Sequence, residues 1–350
     1  MSKPLLLKDF KPKSNLVVPQ HHVPKPKFPV IDIHTHFGPL VIKDYENAYD
    51  TGKRVESLKA INIKLVCNHE LLWEEDLDRL LRKIDGYQDF ILTFASVDVS
   101  KLDEPDFDKY VERIFRDHKS KGVRGIKLWK NISLMMKDKS GKYIAIDDER
   151  LKPIWEASAK YDLPILIHVG DPMCFFTPPD EFNEYYDCLE LFPEWSFYAP
   201  EFYRFEQLME MQENMIANNP DTTFIIAHVG SCAENLGFVG GLLDKYKNMY
   251  IDIAARINEL GRQPYTARKF FIDYQDRILF GTDYFASCDP SDIYPYYFRF
   301  LETFDEYFDY QSEKDPIPLG RWKIYGIGLE DSILEKIYYK NAQKLLKVNI

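Results

Sequence analysis

Short apolar runs rich in β-branched residues alternate with longer amphipathic stretches along most of the chain. From residue 30 onward, this alternation predicts buried strands separated by helices. The predicted strands span residues 30–36, 61–68, 90–97, 122–129, 163–169, 222–229, 249–253 and 277–283. The predicted helices span residues 54–60, 74–84, 105–118, 148–161, 205–218, 236–246 and 265–274. This succession is typical of an α/β protein with a parallel sheet.

Eight strand–helix units fit a single (β/α)₈ barrel of the TIM type better than an open sheet. A doubly wound sheet remains the alternative, because periodicity does not encode closure. The proline-rich residues 1–29 predict an extended N-terminal arm, and residues 30–350 predict the barrel with a C-terminal helix. Two long segments, 171–204 and 284–325, are expected at the C-terminal face, where barrel enzymes place their catalytic residues.

Composition and charge limit the classes of partner. The chain has 350 residues and a net charge of −11, which argues against nucleic acid or an anionic membrane as the main partner. No apolar run is long enough to span a bilayer, and residues 5–7 are too short for the apolar core of a secretory signal. Five scattered cysteines without a CxxC pair favour a reducing compartment, which we expect to be the cytoplasm. The sequence is compatible with a homo-oligomer but does not determine the oligomeric state.

Polar side chains end several predicted strands. The first strand ends with His34 and His36, the fifth with His168, the sixth with His228 and the eighth with Asp283. These ends converge in a barrel, and imidazole nitrogen and carboxylate oxygen are good ligands for a divalent metal. A lone histidine after a strand is more often a core residue. Five such groups together favour a metal site with an open position for water.

The motifs IDIHTH, GIKLW, PILIHVGDP, FIIAHVG and DRILFGTDY resemble the amidohydrolase superfamily. More narrowly, they resemble the amidohydrolase-related branch that includes aminocarboxymuconate-semialdehyde decarboxylase and several lactonases. The resemblance covers residues 30–345 and implies a distorted barrel with one divalent metal, usually zinc, with manganese, iron or nickel as alternatives. It implies that His34, His36, His168 and Asp283 hold the metal. It also implies that His228 contacts substrate or activates water.

Lys127 and Asp32 are also expected to point into the barrel, and the sequence leaves more than one role open for each. Other branches of the superfamily place a carboxylated lysine between two metals, and Lys127 lies close to that position. We expect Lys127 to form an ion pair or to contact substrate, with a binuclear site that includes Lys127 and His228 as the minority interpretation. Asp32 alternates in phase with His34 and His36, so we expect it to point inward. There it would either orient a metal ligand or accept hydrogen bonds from neighbouring backbone and hydroxyl groups.

The two long segments are rich in aromatic residues. Residues 171–204 contain eleven of them, which predicts a rigid lid over the site; packing on the barrel rim or at a subunit interface is the alternative. In residues 284–325 the aromatic residues follow helical spacing, which predicts core. Arg256, Arg204 and Trp129 are candidate substrate contacts, since guanidinium groups bind carboxylates. Surface salt bridges are the ordinary alternative for both arginines, and we rank them slightly ahead.

The leading hypothesis is a metal-dependent hydrolase whose metal-activated water attacks a lactone, an amide or a related carbonyl. Asp283 would take the proton of that water, and His228 would stabilise the oxyanion or position a small-molecule substrate. The alternative is a metal-dependent, non-oxidative decarboxylase of a carboxylated unsaturated substrate. A barrel with purely structural histidines is the third hypothesis, and a nucleotide enzyme is disfavoured because no G-x-G-x-x-G or P-loop motif occurs.

Overall fold

The computed structural model describes residues 5–6, 10, 12–312, 317 and 319–350. Its strands, all paired in parallel, form one sheet whose order along the sheet follows the chain. They are β1 Val30–His36, β2 Ile63–His69, β3 Ile91–Ala95, β4 Gly125–Leu128, β5 Ile165–Ile167, β6 Phe224–Ile226, β7 Met249–Asp252, β8 Ile278–Leu279 and β9 Tyr284–Phe285. The sheet order β8-β7-β6-β5-β4-β3-β2-β1-β9 places the last strands of the chain at both ends of the sheet.

The two ends of the sheet meet in one stretch of chain, residues 278–285. Ile33 N donates to Phe280 O at 2.8 Å, and Asp283 N donates to His34 O at 2.9 Å. These bonds join β1 to the segment between β8 and β9. The prediction of a TIM-type barrel is therefore confirmed, and the doubly wound alternative is wrong because neighbouring strands follow each other without an order reversal.

Helices follow most strands, as the periodicity predicts. They are α1 Thr51–Ala60, α2 Glu74–Lys83, α3 Phe107–Ser120, α4 Asn131–Leu134, α5 Lys152–Tyr161, α6 Tyr186–Leu191, α7 Phe205–Asn218, α8 Leu236–Lys245, α9 Ile257–Gly261, α10 Pro264–Asp273, α11 Tyr294–Glu302, α12 Asp331–Glu335 and α13 Asn341–Leu346. A π-helical segment, Lys336–Lys340, joins α12 to α13. No helix in the described part of the chain is long and apolar enough to cross a bilayer.

Strand side chains divide between two apolar layers because they alternate across the sheet. One set, which includes Ile31, Leu65 and Leu92, packs inside the barrel, and Leu346 of α13 joins it. The other set packs against the helices. Asn341 Nδ2 donates to Ile278 O at 2.8 Å, so α13 covers the barrel end opposite to the histidines. A cavity of about 490 Å³ lies at this covered end and is lined by residues of β2, β3 and the C-terminus.

A β-bulge in β1 changes the expected orientation of Asp32. Asp32 pairs with Val66 and Thr35 pairs with Asn68, so β1 has one more residue than β2 over this interval. Asp32 is buried and accepts hydrogen bonds from Thr282 Oγ1 at 2.5 Å and from Tyr294 OH of α11 at 2.7 Å. The prediction that Asp32 points inward in phase with the histidines is therefore wrong. Asp32 instead accepts hydrogen bonds from neighbouring backbone and hydroxyl groups. Burial raises the pKa of this carboxyl group to about 7.

The described part of the N-terminal arm is extended and rests on α11 and the loop after it. His21 Nδ1 lies 2.5 Å from Asp305 Oδ1, and Lys27 N donates to Glu302 Oε1 at 2.9 Å. Arg299 Nε donates to Asp305 Oδ2 at 2.7 Å. Asp305 is thus the main polar anchor of the arm. The remaining arm residues, 1–4, 7–9 and 11, lie outside the described residues.

Replacement of this anchor, Asp305→Asn, is expected to lower the free energy of unfolding at pH 7 by about 1–3 kcal/mol. Burial would raise the pKa of Asp305, but hydrogen bonds from His21 and Arg299 lower it below its usual value. The stabilisation is therefore complete above the ordinary carboxyl pKa and is lost progressively as the pH falls from that value through the lowered pKa of the folded state. Urea unfolding at pH 7 and at pH 3 measures this. A stability difference that is as large at pH 3 as at pH 7 would contradict the assignment.

Candidate metal centre

Three of the predicted ligand residues converge at the C-terminal end of β1. Asp283 Oδ1 lies 3.0 Å from His36 Nε2 and 3.6 Å from His34 Nε2. One ligand atom of each residue lies within 4.8 Å of the others, and both histidines are buried. The Asp283 side chain is 25% exposed, so this group opens to solvent on the carboxylate side. Separations of this size match donors that share one metal ion.

The backbone at Asp283 is in the left-handed region, with φ of 64°. This conformation is unfavourable for a residue with a side chain, and such residues are concentrated at functional sites. The hydrogen bond from Asp283 N to His34 O holds the segment against β1. Closure of the barrel therefore brings the carboxylate to the two histidines, although 247 residues separate Asp283 from His36.

A buried carboxylate orients the His34 ring. His34 Nδ1 lies 2.8 Å from Asp252 Oδ2 at the end of β7, and Asp252 Oδ1 accepts from His228 N at 2.8 Å. Because Nδ1 donates to the carboxylate, the Nε2 lone pair of His34 faces the centre. Asp252 was missed by the sequence analysis. Its signal was available, since the seventh strand ends on a polar residue in the same way as the fifth and sixth do.

His36 has a buried carboxylate behind it as well. Glu70 Oε1 lies 3.7 Å from His36 Nδ1, and the two Glu70 oxygens accept from the backbone N–H groups of Gly38 and Leu40. Burial would lower the pKa of His36, but Asp283 and Glu70 raise it above its usual value. Glu70 was also missed. It directly follows β2 and was indistinguishable in sequence from an exposed loop residue.

His168 and His228 form a second group beside the first. His228 Nε2 lies 3.2 Å from His168 Nδ1, while His228 Nδ1 donates to Ala254 O at 2.8 Å. His168 Nε2 lies 3.1 Å from Asp171 Oδ1. The structure thus places His168 next to His228 rather than within the cluster of His34, His36 and Asp283.

A left-handed turn positions His228. Residues 228–231 all have φ between 58° and 66°, and three of them are not glycine. The sequence predicted a strand through residue 229, but β6 ends at Ile226. The turn aims the imidazole at His168, and Gln212 Nε2 donates to Gly230 O at 3.0 Å to hold it. This is a second strained segment that presents a predicted site residue.

Burial keeps most of the imidazoles in the state that binds metals. It lowers the pKa of His34 and of His228 well below the usual value, and it lowers the pKa of His168 to about 4. Burial would raise the pKa of Asp283, but His34 and His36 hold it well below the usual carboxyl value. Neutral imidazoles beside an ionised carboxylate form a donor set that fits a divalent cation.

Lys127 is fully buried next to His34. Its Nζ lies 3.1 Å from His34 Nε2, and no carboxylate of the described residues lies within 4 Å of it. The direct ion pair that we expected from the sequence is therefore not formed. Burial lowers the pKa of Lys127 to about 8, although Asp283, Asp252 and Glu70 oppose this shift. Lys127 thus places an amine beside His34 that loses its proton more easily than an exposed lysine does.

The candidate substrate contacts differ in burial. Arg256 is 9% exposed, its Nη1 donates to Ala255 O at 2.7 Å, and its charge lowers the pKa of His228. No described carboxylate lies within 4 Å of Arg256, so the surface salt bridge expected for it is wrong. Arg204 is exposed at the start of α7, and Trp129 is half-buried with Lys130 Nζ 5.4 Å from its ring centre. No direct contact between Arg204 or Trp129 and the four histidines is observed among the described residues.

Most aromatic residues of segment 171–204, the lid, pack on one another. Of the eleven, Phe182, Tyr186 and Tyr198 are exposed, and the other eight are buried or half-buried. Phe192 and Trp195 stack with ring centres 4.6 Å apart, and the Tyr185 hydroxyl donates to Glu259 at the rim. Packing within the segment and on the barrel rim thus accounts for most of its aromatic residues. In segment 284–325, Tyr294, Phe298 and Phe300 are fully buried, as the prediction of core requires. Phe304 and Tyr307 are exposed, so the prediction is wrong for these two residues.

A parallel barrel can carry many activities, so the class of protein is indicated by its histidine–carboxylate cluster, whose atoms are good ligands for a divalent metal. The family model described as amidohydrolase matches residues 31–348. The chain therefore belongs to the amidohydrolase family, whose members include hydrolases, decarboxylases and a hydratase, and the resemblance stated from the motifs is confirmed. No curated protein sequence matches the chain.

Solved structures share the fold at low sequence identity. The chain is similar to 2,6-dihydroxybenzoate decarboxylase complexed with 2,6-dihydroxybenzoate (15% identity, 92% of this chain and 100% of that chain, TM-score 0.55). A putative amidohydrolase from Staphylococcus aureus has 16% identity over 92% and 100% of the chains, with a TM-score of 0.54. 5-Carboxyvanillate decarboxylase from Novosphingobium aromaticivorans, complexed with manganese and 4-hydroxy-3-methoxy-5-nitrobenzoic acid, has 12% identity over 92% and 97%, with a TM-score of 0.51.

Proposed function

We propose that this protein is a metal-dependent hydrolase that acts on a small carboxylated substrate. The observation that carries the proposal is the convergence of His34 Nε2, His36 Nε2 and Asp283 Oδ1 at the solvent-facing end of the barrel. The buried carboxylate of Asp252 supports it, because its hydrogen bond with His34 Nδ1 fixes that ring with the Nε2 lone pair toward the centre. The buried Glu70 carboxylate lies 3.7 Å from His36 Nδ1 and adds negative charge behind the second histidine.

We propose His34, His36, His168 and Asp283 as the metal ligands. Imidazole and carboxylate donors suit zinc, with manganese, iron and nickel as alternatives, and a fold neighbour is complexed with manganese. A divalent ion held there would polarise a substrate carbonyl and lower the pKa of a water molecule. Because metal binding must displace the proton of His36, whose pKa is raised, metal affinity is expected to increase with pH.

The residues themselves supply proton transfer and orientation. Asp283, the most exposed member of the cluster, accepts the proton of the attacking water. His228 donates through Nδ1 to Ala254 O, so its Nε2 carries a lone pair. This arrangement favours substrate positioning or proton acceptance by His228 over donation to an oxyanion. Lys127, 3.1 Å from His34 Nε2, contributes positive charge beside the reacting group.

Arg256 supports a carboxylated substrate. A guanidinium group that is largely buried without a carboxylate partner is costly, unless a bound anion completes its interactions. Arg256 follows β7 two residues after Ala254, whose carbonyl accepts from His228 Nδ1, so it belongs to the same end of the barrel as His228. Two of the fold neighbours bind aromatic carboxylates, which agrees with this choice of substrate class.

Non-oxidative decarboxylation is the second candidate reaction. The observation that favours it is the same unpaired Arg256, since a guanidinium group can hold a carboxylate either as a recognition group or as the leaving group. The ligand set is common to both reactions. Only the product distinguishes them: carbon dioxide for the decarboxylase, and a ring-opened or cleaved acid without gas for the hydrolase.

Metal analysis followed by product analysis tests the proposal. We expect one divalent ion per chain after mild purification, loss of activity with a chelator and recovery with zinc or manganese. A panel of carboxylated lactones, amides and unsaturated acids should then give acid release without carbon dioxide. Carbon dioxide release would favour the decarboxylase. Wild-type activity in the metal-free protein would contradict both candidates.

The cysteines and the surface charge bear on the location and the partners of the protein. All five cysteines are free, which agrees with a reducing compartment, and we propose the cytoplasm. The net charge of −11 supports a small molecule, rather than nucleic acid or a membrane, as the partner. The exposed lid residues Phe182, Tyr186 and Tyr198 leave room for a homo-oligomer.

A further inference from the structure

Lys130 and Asp171 form a buried ion pair that the proposed chemistry does not use. Lys130 Nζ donates to Asp171 Oδ2, and the two residues are 8% and 5% exposed. Taking both charges out of water largely cancels their attraction, so such a pair contributes little to stability on its own. Stability therefore does not explain why this buried ion pair lies next to the predicted ligand His168.

The second oxygen of Asp171 contacts a predicted metal ligand. Asp171 Oδ1 lies 3.1 Å from His168 Nε2, and a carboxylate in this position accepts the Nε2 proton. The lone pair of His168 is then on Nδ1, which lies 3.2 Å from His228 Nε2. His228 carries its own proton on Nδ1, toward Ala254 O. Two imidazole lone pairs that face each other favour a cation within reach of both.

Lys130 in turn is held by aromatic rings. Its Nζ lies 5.4 Å from the ring centre of Trp129 and 5.5 Å from that of Phe197, within the range of cation–π attraction. Phe197 belongs to the lid and packs on Phe176 at 5.4 Å. The contacts thus run without interruption from the packed lid through Lys130 and Asp171 to the His168 ring.

We propose that Lys130 and Asp171 are positioning residues that fix the tautomer and the orientation of His168 for metal binding. The inference rests on the proposed function, since it takes His168 as a ligand. Asp171 leaves the lone pair of His168 on Nδ1, the nitrogen that faces His228, and Lys130 keeps the carboxylate from turning toward solvent. The lid, by holding Lys130, takes part in building the metal centre.

The test is a titration of the metal-free protein with Co²⁺ alone, read by visible absorption, with histidine ¹⁵N chemical shifts measured before metal is added. Asp171→Asn is expected to bind Co²⁺ about 10–100-fold more weakly, the range typical of outer-shell partners. Its His168 shifts should change from the Nε2-protonated form to a mixture of tautomers. Lys130→Met should change both readouts in the same direction, and the double variant should be no worse than Asp171→Asn.

Asp187→Asn is the matched control. Asp187 is another lid aspartate in an ion pair, with Arg321 at 2.7 Å, but it does not contact a histidine in the described structure. Wild-type Co²⁺ affinity in this variant is expected. If both Asp171→Asn and Lys130→Met keep wild-type affinity and tautomer, the inference is overturned while the proposed function stands. If the wild type itself binds no Co²⁺, the proposed function fails first. Should Asp171→Asn not fold, Lys130→Met decides alone.

Discussion

His34→Ala is expected to lose stoichiometric metal and all measurable turnover. The substitution removes the Nε2 donor of the cluster and also leaves Asp252 without its His34 partner, although Asp252 keeps the hydrogen bonds from His228 N and Ala254 N. Burial already raises the pKa of Asp252 above its usual value, and loss of the hydrogen bond with His34 is expected to raise it further. The loss in metal affinity should exceed the roughly 10–100-fold that removal of an outer-shell partner causes. Metal content by mass spectrometry and turnover under saturating zinc measure the effect.

His118→Gln is the control for this variant. His118 is a buried histidine of α3 whose Nε2 lies 2.7 Å from Ser96 O, away from the cluster. Its replacement tests the cost of losing a buried imidazole without touching the centre, and metal content should stay at the wild-type level. Full metal content in His34→Ala, or equal loss in both variants, would argue against the ligand assignment.

Arg256→Met is expected to lower kcat/KM for a carboxylated substrate by about 10–100-fold, which corresponds to the loss of a charged hydrogen bond worth about 1.5–3 kcal/mol. An uncharged ester of the same substrate should be affected far less. The reason is that Arg256 is buried and unpaired in the described structure, so its charge is available to the substrate anion. Steady-state kinetics with the acid and the ester measure the difference.

Arg82→Met, at an exposed position of α2, controls for the loss of one positive charge from the protein. It should leave both substrates unchanged. An equal decrease for the acid and the ester in Arg256→Met would mean that the arginine supports the fold of the rim rather than substrate recognition. In that case the substrate class would have to be reconsidered, whereas the metal centre would remain.

The barrel could be predicted from the sequence because its strands are apolar on both faces and its helices are amphipathic. Each of the eight predicted runs overlaps an observed strand. The polar strand ends also predicted correctly that His34, His36 and Asp283 lie close together. This follows from the geometry of a closed parallel sheet, which brings all strand ends to one face. The spacing alone could not show that β6 ends early in a left-handed turn at His228.

Features that depend on a single irregularity or on long-range contacts escaped prediction. The bulge in β1 reverses the alternation for Asp32, and nothing in the letters IDIHTH reveals it. Glu70 and Asp252, the carboxylates behind His36 and His34, become recognisable only when β2 and β7 are placed around β1. The Lys130–Asp171 pair likewise joins two residues that are 41 positions apart in the sequence, one after β4 and one at the start of the lid. Hydrophobic periodicity carries no information about such pairs.

A crystal structure of the zinc-loaded protein, with anomalous diffraction at the zinc edge, tests the central claim most directly. The account predicts one strong anomalous peak within about 2.0–2.2 Å of His34 Nε2, His36 Nε2 and an Asp283 oxygen, with His168 completing the set. A peak held by other residues, or the absence of any peak at this cluster under saturating zinc, would contradict it.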